Sequence, residues 1–141
     1  MKIVTALILF AIFIVLAFIH IYWGFSGKIG KTASIPTKQD GKPFINPGKA
    51  DCFVVAAGLP VFSVFVVIRA GLVLIPLPSL LFNYGMWAIT ASFLLRAIGE
   101  FNYIGFFKKI KNTRFGQMDT MYYSPLCLVI AILSVILNFI N

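Results

Sequence analysis

From Ile3 to Phe25 the chain runs without a single Asp, Glu, Lys or Arg. About 20 apolar residues in sequence are what an α-helix needs to cross the hydrocarbon core of a bilayer. A secretory signal has a shorter core, about 7–15 residues, followed by a small-residue cleavage site. No A-x-A-like site follows here, so the run reads as a retained transmembrane helix. Tyr22 and Trp23 at its end suit the aromatic belt at a membrane interface.

Composition points the same way. Of 141 residues, 60% are hydrophobic, 16% aromatic and only 11% charged, against about 25% charged in a typical soluble domain. Mean hydropathy is +0.97. Too little polar surface remains to wrap a water-soluble globule of this size. The length allows one domain, and four helices of roughly 20 residues would use most of it.

Patterning along the chain predicts those four helices at about 3–25, 51–72, 80–99 and 125–140. Loops are expected over about 26–50 and 100–124. In the first loop, Asp40-Gly41 and Pro47-Gly48 are turn signals. Asp51 is placed as the N-cap of the second helix, where its carboxylate faces the positive end of the dipole. Pro60 should kink that helix. The small residues Ala56, Ala57 and Gly58 suit close approach to a neighbouring helix in lipid, which leaves room for a homo-oligomer. Pro76 and Pro78 make a short connection to the third helix. From Phe101 to Phe115 aromatics are interleaved with Lys108, Lys109, Lys111 and Arg114, a mixture that suits the headgroup region. The expected fold is therefore all-α: an integral membrane four-helix bundle with an interfacial segment between helices 3 and 4.

The formal net charge of +8 does not point to nucleic acid, because the basic residues lie in loops between apolar runs. Four crossings put both termini and the 69–79 connection on one side, with Lys2 and Arg69. The opposite side carries Lys28, Lys31, Lys38, Lys42, Lys49, Arg96, Lys108, Lys109, Lys111 and Arg114, ten against two. By the positive-inside rule this predicts a multi-pass protein of the cell membrane, with cytoplasmic loops and both termini outside.

The same topology draws ionisable residues to one depth. His20 ends the first helix, Asp51 starts the second, Arg96 and Glu100 end the third, and Asp119 precedes the fourth. One reading is structural: Arg96 and Glu100 form an ion pair at a helix end, and His20 is hydrogen-bonded at the interface. The other is a polar pocket at the cytoplasmic face. There His20 is the candidate acid or base, since its unperturbed pKa lies near neutral. Glu100 or Asp119 would orient it, and Arg96 would hold a phosphate or carboxylate. Trp23, Asn83 and Trp87 are further candidate ligand-binding residues.

Several chemistries fall away. A single histidine rules out bis-histidine haem ligation within one chain. There is no G-x-x-x-x-G-K-[ST] and no H-E-x-x-H. Cys52 and Cys127 form no CxxC, so neither a zinc site nor a disulfide framework is expected, and each reads as a small apolar residue. No acid lies in the helix cores, which argues against proton-coupled transport. No metal and no particular cofactor is implied. Anionic headgroups are the expected partners of Lys108, Lys109, Lys111 and Arg114.

His20-Ile21-Tyr22-Trp23, Pro47-Gly48, Arg96-Ala97-Ile98-Gly99, Asp119 and Tyr123-Ser124-Pro125-Leu126-Cys127 together resemble the DUF3995 family of small bacterial four-helix membrane proteins. The likeness covers nearly the whole chain. That family has no known function, so the resemblance implies a fold and a bacterial membrane location but no activity. Three functions stay open: a membrane protein with a binding or catalytic pocket at the cytoplasmic face, a non-enzymatic accessory or interaction protein, and a lipid or small-molecule carrier.

Overall fold

The computed structural model describes residues 1–140. Its helices are α1 (Lys2–Gly24), α2 (Lys31–Ser34), α3 (Lys49–Arg69), α4 (Ser79–Ile98), α5 (Arg114–Met118) and α6 (Ser124–Phe139), with a π-helical turn at Asp119–Tyr123 joining the last two. The chain is all-helical, with no strand among the described residues and one isolated bridge between Thr37 and Pro43. Three rods, Lys2–Gly24, Lys49–Arg69 and Arg114–Phe139, are long and apolar enough to cross a membrane, and they suggest a membrane protein. The fourth long helix, α4, has 20 residues, but Asn83, Tyr84, Gly85, Thr90 and Ser92 dilute its apolar run.

The long helices pack as two antiparallel pairs, α1 on α3 and α4 on α6. Small residues set the closest approaches. The ring of Phe53 lies over Gly24, and that of Phe65 over Gly85, at points where a Cβ would collide. Ser63 donates to the Phe10 carbonyl at 3.4 Å, so this buried hydroxyl is satisfied across the first pair. Phe13 joins the pairs, its ring centroid 5.6 Å from Phe93 and 5.9 Å from Phe62. Around it lies one core drawn from all four long helices: Leu9, Leu59, Met86, Ile89, Ile130 and Leu137. Outward-facing positions are apolar as well, among them Phe18, Val54, Val61, Leu95 and Phe139, as lipid-facing helices require.

Element boundaries differ from the sequence expectation in two instructive places. Asp51 is not the N-cap of α3. Gly48 is, and Asp51 in the first turn reaches back to accept the Gly48 N–H at 2.7 Å, the N3 half of a capping box. The last rod starts at Arg114 rather than near Pro125, so residues 114–123 are helix rather than loop. Proline looks like a helix start because it lacks an N–H and crowds the preceding turn. Here the turn ahead of it is widened: the Ser124 N–H reaches the Asp119 carbonyl, five residues back. This π turn lets the helix run through Pro125. Thr113 supplies the true N-cap, accepting from the Gly116 N–H at 3.0 Å.

What remains of the second loop, residues 99–113, folds back under α4. Gly99 has φ of +83°, and Phe101 follows at +70°. The Phe106 N–H returns to the Ala97 carbonyl at 2.8 Å, and Gly105 packs against Gly99. The first loop lies against this one, with Phe44 stacked on Tyr103 at 4.4 Å. Gly99 has both a left-handed backbone and no room, since a Cβ there would run into the Ile104 carbonyl. Gly99→Ala is therefore expected to destabilise the protein by about 2 kcal/mol or more. Gly58→Ala, on a helix with nothing within 4 Å of the added carbon, should be neutral or stabilising by about 0.5–1 kcal/mol. Thermal unfolding of both variants in one detergent reads the contrast directly.

Candidate functional site

The reversal at Gly99 brings three charged side chains together. Arg96 comes from the last turn of α4, Lys108 from the folded-back loop and Asp119 from the π turn. Asp119 is fully buried, and Lys108 is 1% exposed. Asp119 Oδ1 accepts from Arg96 Nη2 at 2.9 Å. Its Oδ2 accepts from the Gly105 N–H at 2.8 Å and from Lys108 Nζ at 3.0 Å. The ammonium of Lys108 uses its other donors on the Gly105 carbonyl at 2.9 Å and on Thr120 Oγ1 at 2.7 Å. Thr120 in turn donates to the Gly116 carbonyl at 2.9 Å.

An ammonium has three donors, and all three are spent. Both carboxylate oxygens are engaged. Two cations on one anion leave the cluster with an excess positive charge, and the second terminal nitrogen of Arg96 and the Ser124 hydroxyl are buried without a protein partner. A buried charge left unpaired is far more costly than a paired one, so this clamp holds the loop, the end of α4 and the last rod together.

Of the candidate site residues, the structure pairs Arg96 with Asp119 and sets His20 beside Trp23. His20 Nδ1 lies 2.8 Å from the Leu16 carbonyl of its own helix, and its ring meets Trp23 edge-on at 5.3 Å. Trp23 Nε1 donates to the Ile29 carbonyl at 2.9 Å. Glu100 is exposed and accepts the Tyr103 N–H; Arg96 pairs with Asp119 in its place. Asn83 and Trp87 lie in the first half of α4, away from Arg96, and Trp87 packs edge-on against Phe139. Lys108 was the residue missed. It stands in a basic run that reads as headgroup-facing, yet Lys109, Lys111 and Arg114 are the exposed ones. Its signal was two glycines six apart, Gly99 and Gly105, flanked by Arg96 and Lys108.

Two surface hollows stand out, about 460 Å³ beside Lys2 and Arg69, and about 160 Å³ beside Lys109 and Lys111. Neither is lined by His20, Arg96, Glu100 or Asp119. No group of three potential metal ligands occurs among the described residues. Cys52 and Cys127 are free thiols.

The family model described as a protein of unknown function, DUF3995, matches residues 13–134, a stretch that holds the whole clamp. The chain belongs to the DUF3995 family. No curated protein and no solved structure matches it. The clamp is thus the most fully built polar feature of this DUF3995 protein.

Its members should not contribute equally. Asp119→Ala strands two cations and is expected to cost about 3–5 kcal/mol. Lys108→Met leaves the Arg96–Asp119 pair in place and should cost about 1–3 kcal/mol. Arg96→Gln should cost least, since its side chain is 34% exposed and water screens the pair. Denaturant unfolding in detergent should rank them in that order.

Proposed function

We propose that this is a non-enzymatic accessory protein of the cell membrane, crossing it four times and acting by lateral association rather than by turnover. The observation that carries this reading is the saturation of Asp119. A general base needs a free lone pair facing its substrate, and Arg96, Lys108 and the Gly105 N–H take up this carboxylate in a fully buried position. His20 and Glu100 have local backbone partners, and neither of the two hollows is lined by them or by Asp119.

Four crossings are supported by the fit of α4 to α6. It is 20 residues long, about 30 Å at 1.5 Å per residue, and meets the last rod through Arg96 on Asp119 at its end and Trp87 on Phe139 near its middle. The charge bias then sets the clamp and its loops in the cytoplasm and both termini outside. Lys109, Lys111 and Arg114 are exposed at that face and suit anionic headgroups; Lys108 is spent inside.

Association is favoured on the outer face of α3. Val54 and Val61 are exposed, Ala57 between them is exposed, and the Gly58 Cα has open space beside it. Small residues on a lipid-facing helix permit close packing of a partner helix. Ala56, by contrast, is used inside the bundle. Native electrophoresis of membrane extracts is expected to show a complex larger than one chain, and leucine at positions 57 and 58 (Ala57→Leu with Gly58→Leu) is expected to dissolve it with monomer stability unchanged. His20→Ala and Glu100→Gln should leave that complex intact. An unchanged complex in the leucine variant would overturn the reading.

A further inference from the structure

At the end of the bundle opposite the clamp, Arg69 closes α3 beside the hollow of about 460 Å³. Its Nη2 donates to the Asn138 carbonyl at 3.4 Å, and its guanidinium lies 4.7 Å over the Phe82 ring. Its Nε is buried with no partner among the described residues. Among the described residues no side-chain carboxylate answers this cation. The chain has four acidic residues, and each is engaged elsewhere: Asp40 with the Lys42 N–H, Asp51 with the Gly48 N–H, Glu100 with the Tyr103 N–H and Asp119 in the clamp. Lys2, the other cation of this end, lines the same hollow.

The rest of the lining is apolar, with Val73, Leu74, Ile75 and Phe82 among it. Leu74 is 92% exposed, and Val73 and Ile75 are exposed too. Such a surface is unfavourable in water but at home at the boundary of a bilayer. A hollow of this volume lies within the usual range for ligand sites, about 300–1,000 Å³. Two cations above an apolar floor match a phosphate ester carrying acyl chains better than a free inorganic anion, which would leave the floor uncovered.

We infer that the Lys2–Arg69 hollow is a binding site for one anionic glycerophospholipid, its phosphate held between the two cations and its chains laid along Val73, Leu74 and Ile75. Arg69 is suited to the phosphate because the planar guanidinium offers several donors at once, of which Nη2 alone is hydrogen-bonded among the described residues. The inference rests on the membrane-crossing reading but not on lateral association, so its failure would leave the association result untouched.

Native mass spectrometry of the full chain, released from nanodiscs of mixed phosphatidylglycerol and phosphatidylcholine, provides the test. One retained phosphatidylglycerol per chain is expected, with phosphatidylcholine lost. Lys2→Gln and Arg69→Gln should each weaken retention about fivefold, as expected for one cation near a lipid headgroup. Arg69→Lys should recover part of the loss, and Lys109→Gln with Lys111→Gln at the opposite face should change nothing. Lys2 makes no hydrogen bond that the fold needs, so its variant reads binding rather than folding. Equal retention of the two lipids by the native chain, or undiminished phosphatidylglycerol in both Lys2→Gln and Arg69→Gln, would overturn the assignment. So would displacement of the lipid by millimolar inorganic phosphate, which would mark the site as one for a small soluble anion.

Discussion

A carboxylate cannot be left alone in a low-dielectric interior, and the geometry around Asp119 follows from that constraint. Its two oxygens need donors, and the chain supplies three from separate places: a guanidinium from the end of α4, an ammonium from a loop and a backbone N–H from Gly105. For these to meet, the backbone must reverse directly after α4. Gly99 permits this with φ of +83°, and Gly105 with φ of +89° permits the close approach of the returning strand of chain. The loop has few other ties, chiefly Phe106 to Ala97, Lys109 to Phe101 and Ile110 to Asn102. Without the charge cluster, those backbone bonds would have to hold a segment rich in lysine against the membrane end by themselves.

The same saturation separates a clamp from an active site. Catalytic groups keep a valence open toward substrate and work by changing protonation or partner during turnover. Here each change of partner breaks a contact that the fold relies on, since Lys108 has all three donors engaged and Asp119 has no exposed surface. Polar residues at a membrane boundary are often taken as pointers to function because burying them is costly. In this chain the cost is met by a structural use: the clamp ties the loop to the last rod and fixes where the helix pair α4 and α6 ends.

Much of the fold was legible in the sequence because hydropathy and helix length act locally. The first and third long helices lie within a residue of their expected bounds, and the closure of the third by Gly99 follows from glycine's freedom at positive φ. The start of the last rod was hidden because Pro125 carries a strong local signal for a helix start, whereas the π turn that accommodates it is a property of the folded helix. Arg96 and Asp119 were found through topology, which brings the end of one helix near the start of another. Lys108 was not, since nothing local distinguishes it from Lys109: which lysine turns inward depends on the register set by Gly99 and Gly105. His20 and Glu100 reached the same membrane boundary, but depth alone does not create contact, and each found a backbone partner within four residues.

Charge is divided unequally between the two ends of the bundle, and the division has consequences. Every acid lies at or beyond the end that holds the clamp, together with ten of the twelve basic residues. At that end cations can be neutralised from within the chain, and Asp119 neutralises the most deeply buried one. At the other end Lys2 and Arg69 have no acidic side chain beside them. Arg69 is half-buried against Phe82 and Asn138, where water screens it only in part. A cation so placed is stabilised by induced dipoles and carbonyls, of which the described residues give it one ring and one carbonyl, or by an anion brought to it. Anionic headgroups are the anions that a bilayer supplies at its boundary, and this is the physical basis of the lipid site inferred at Lys2 and Arg69.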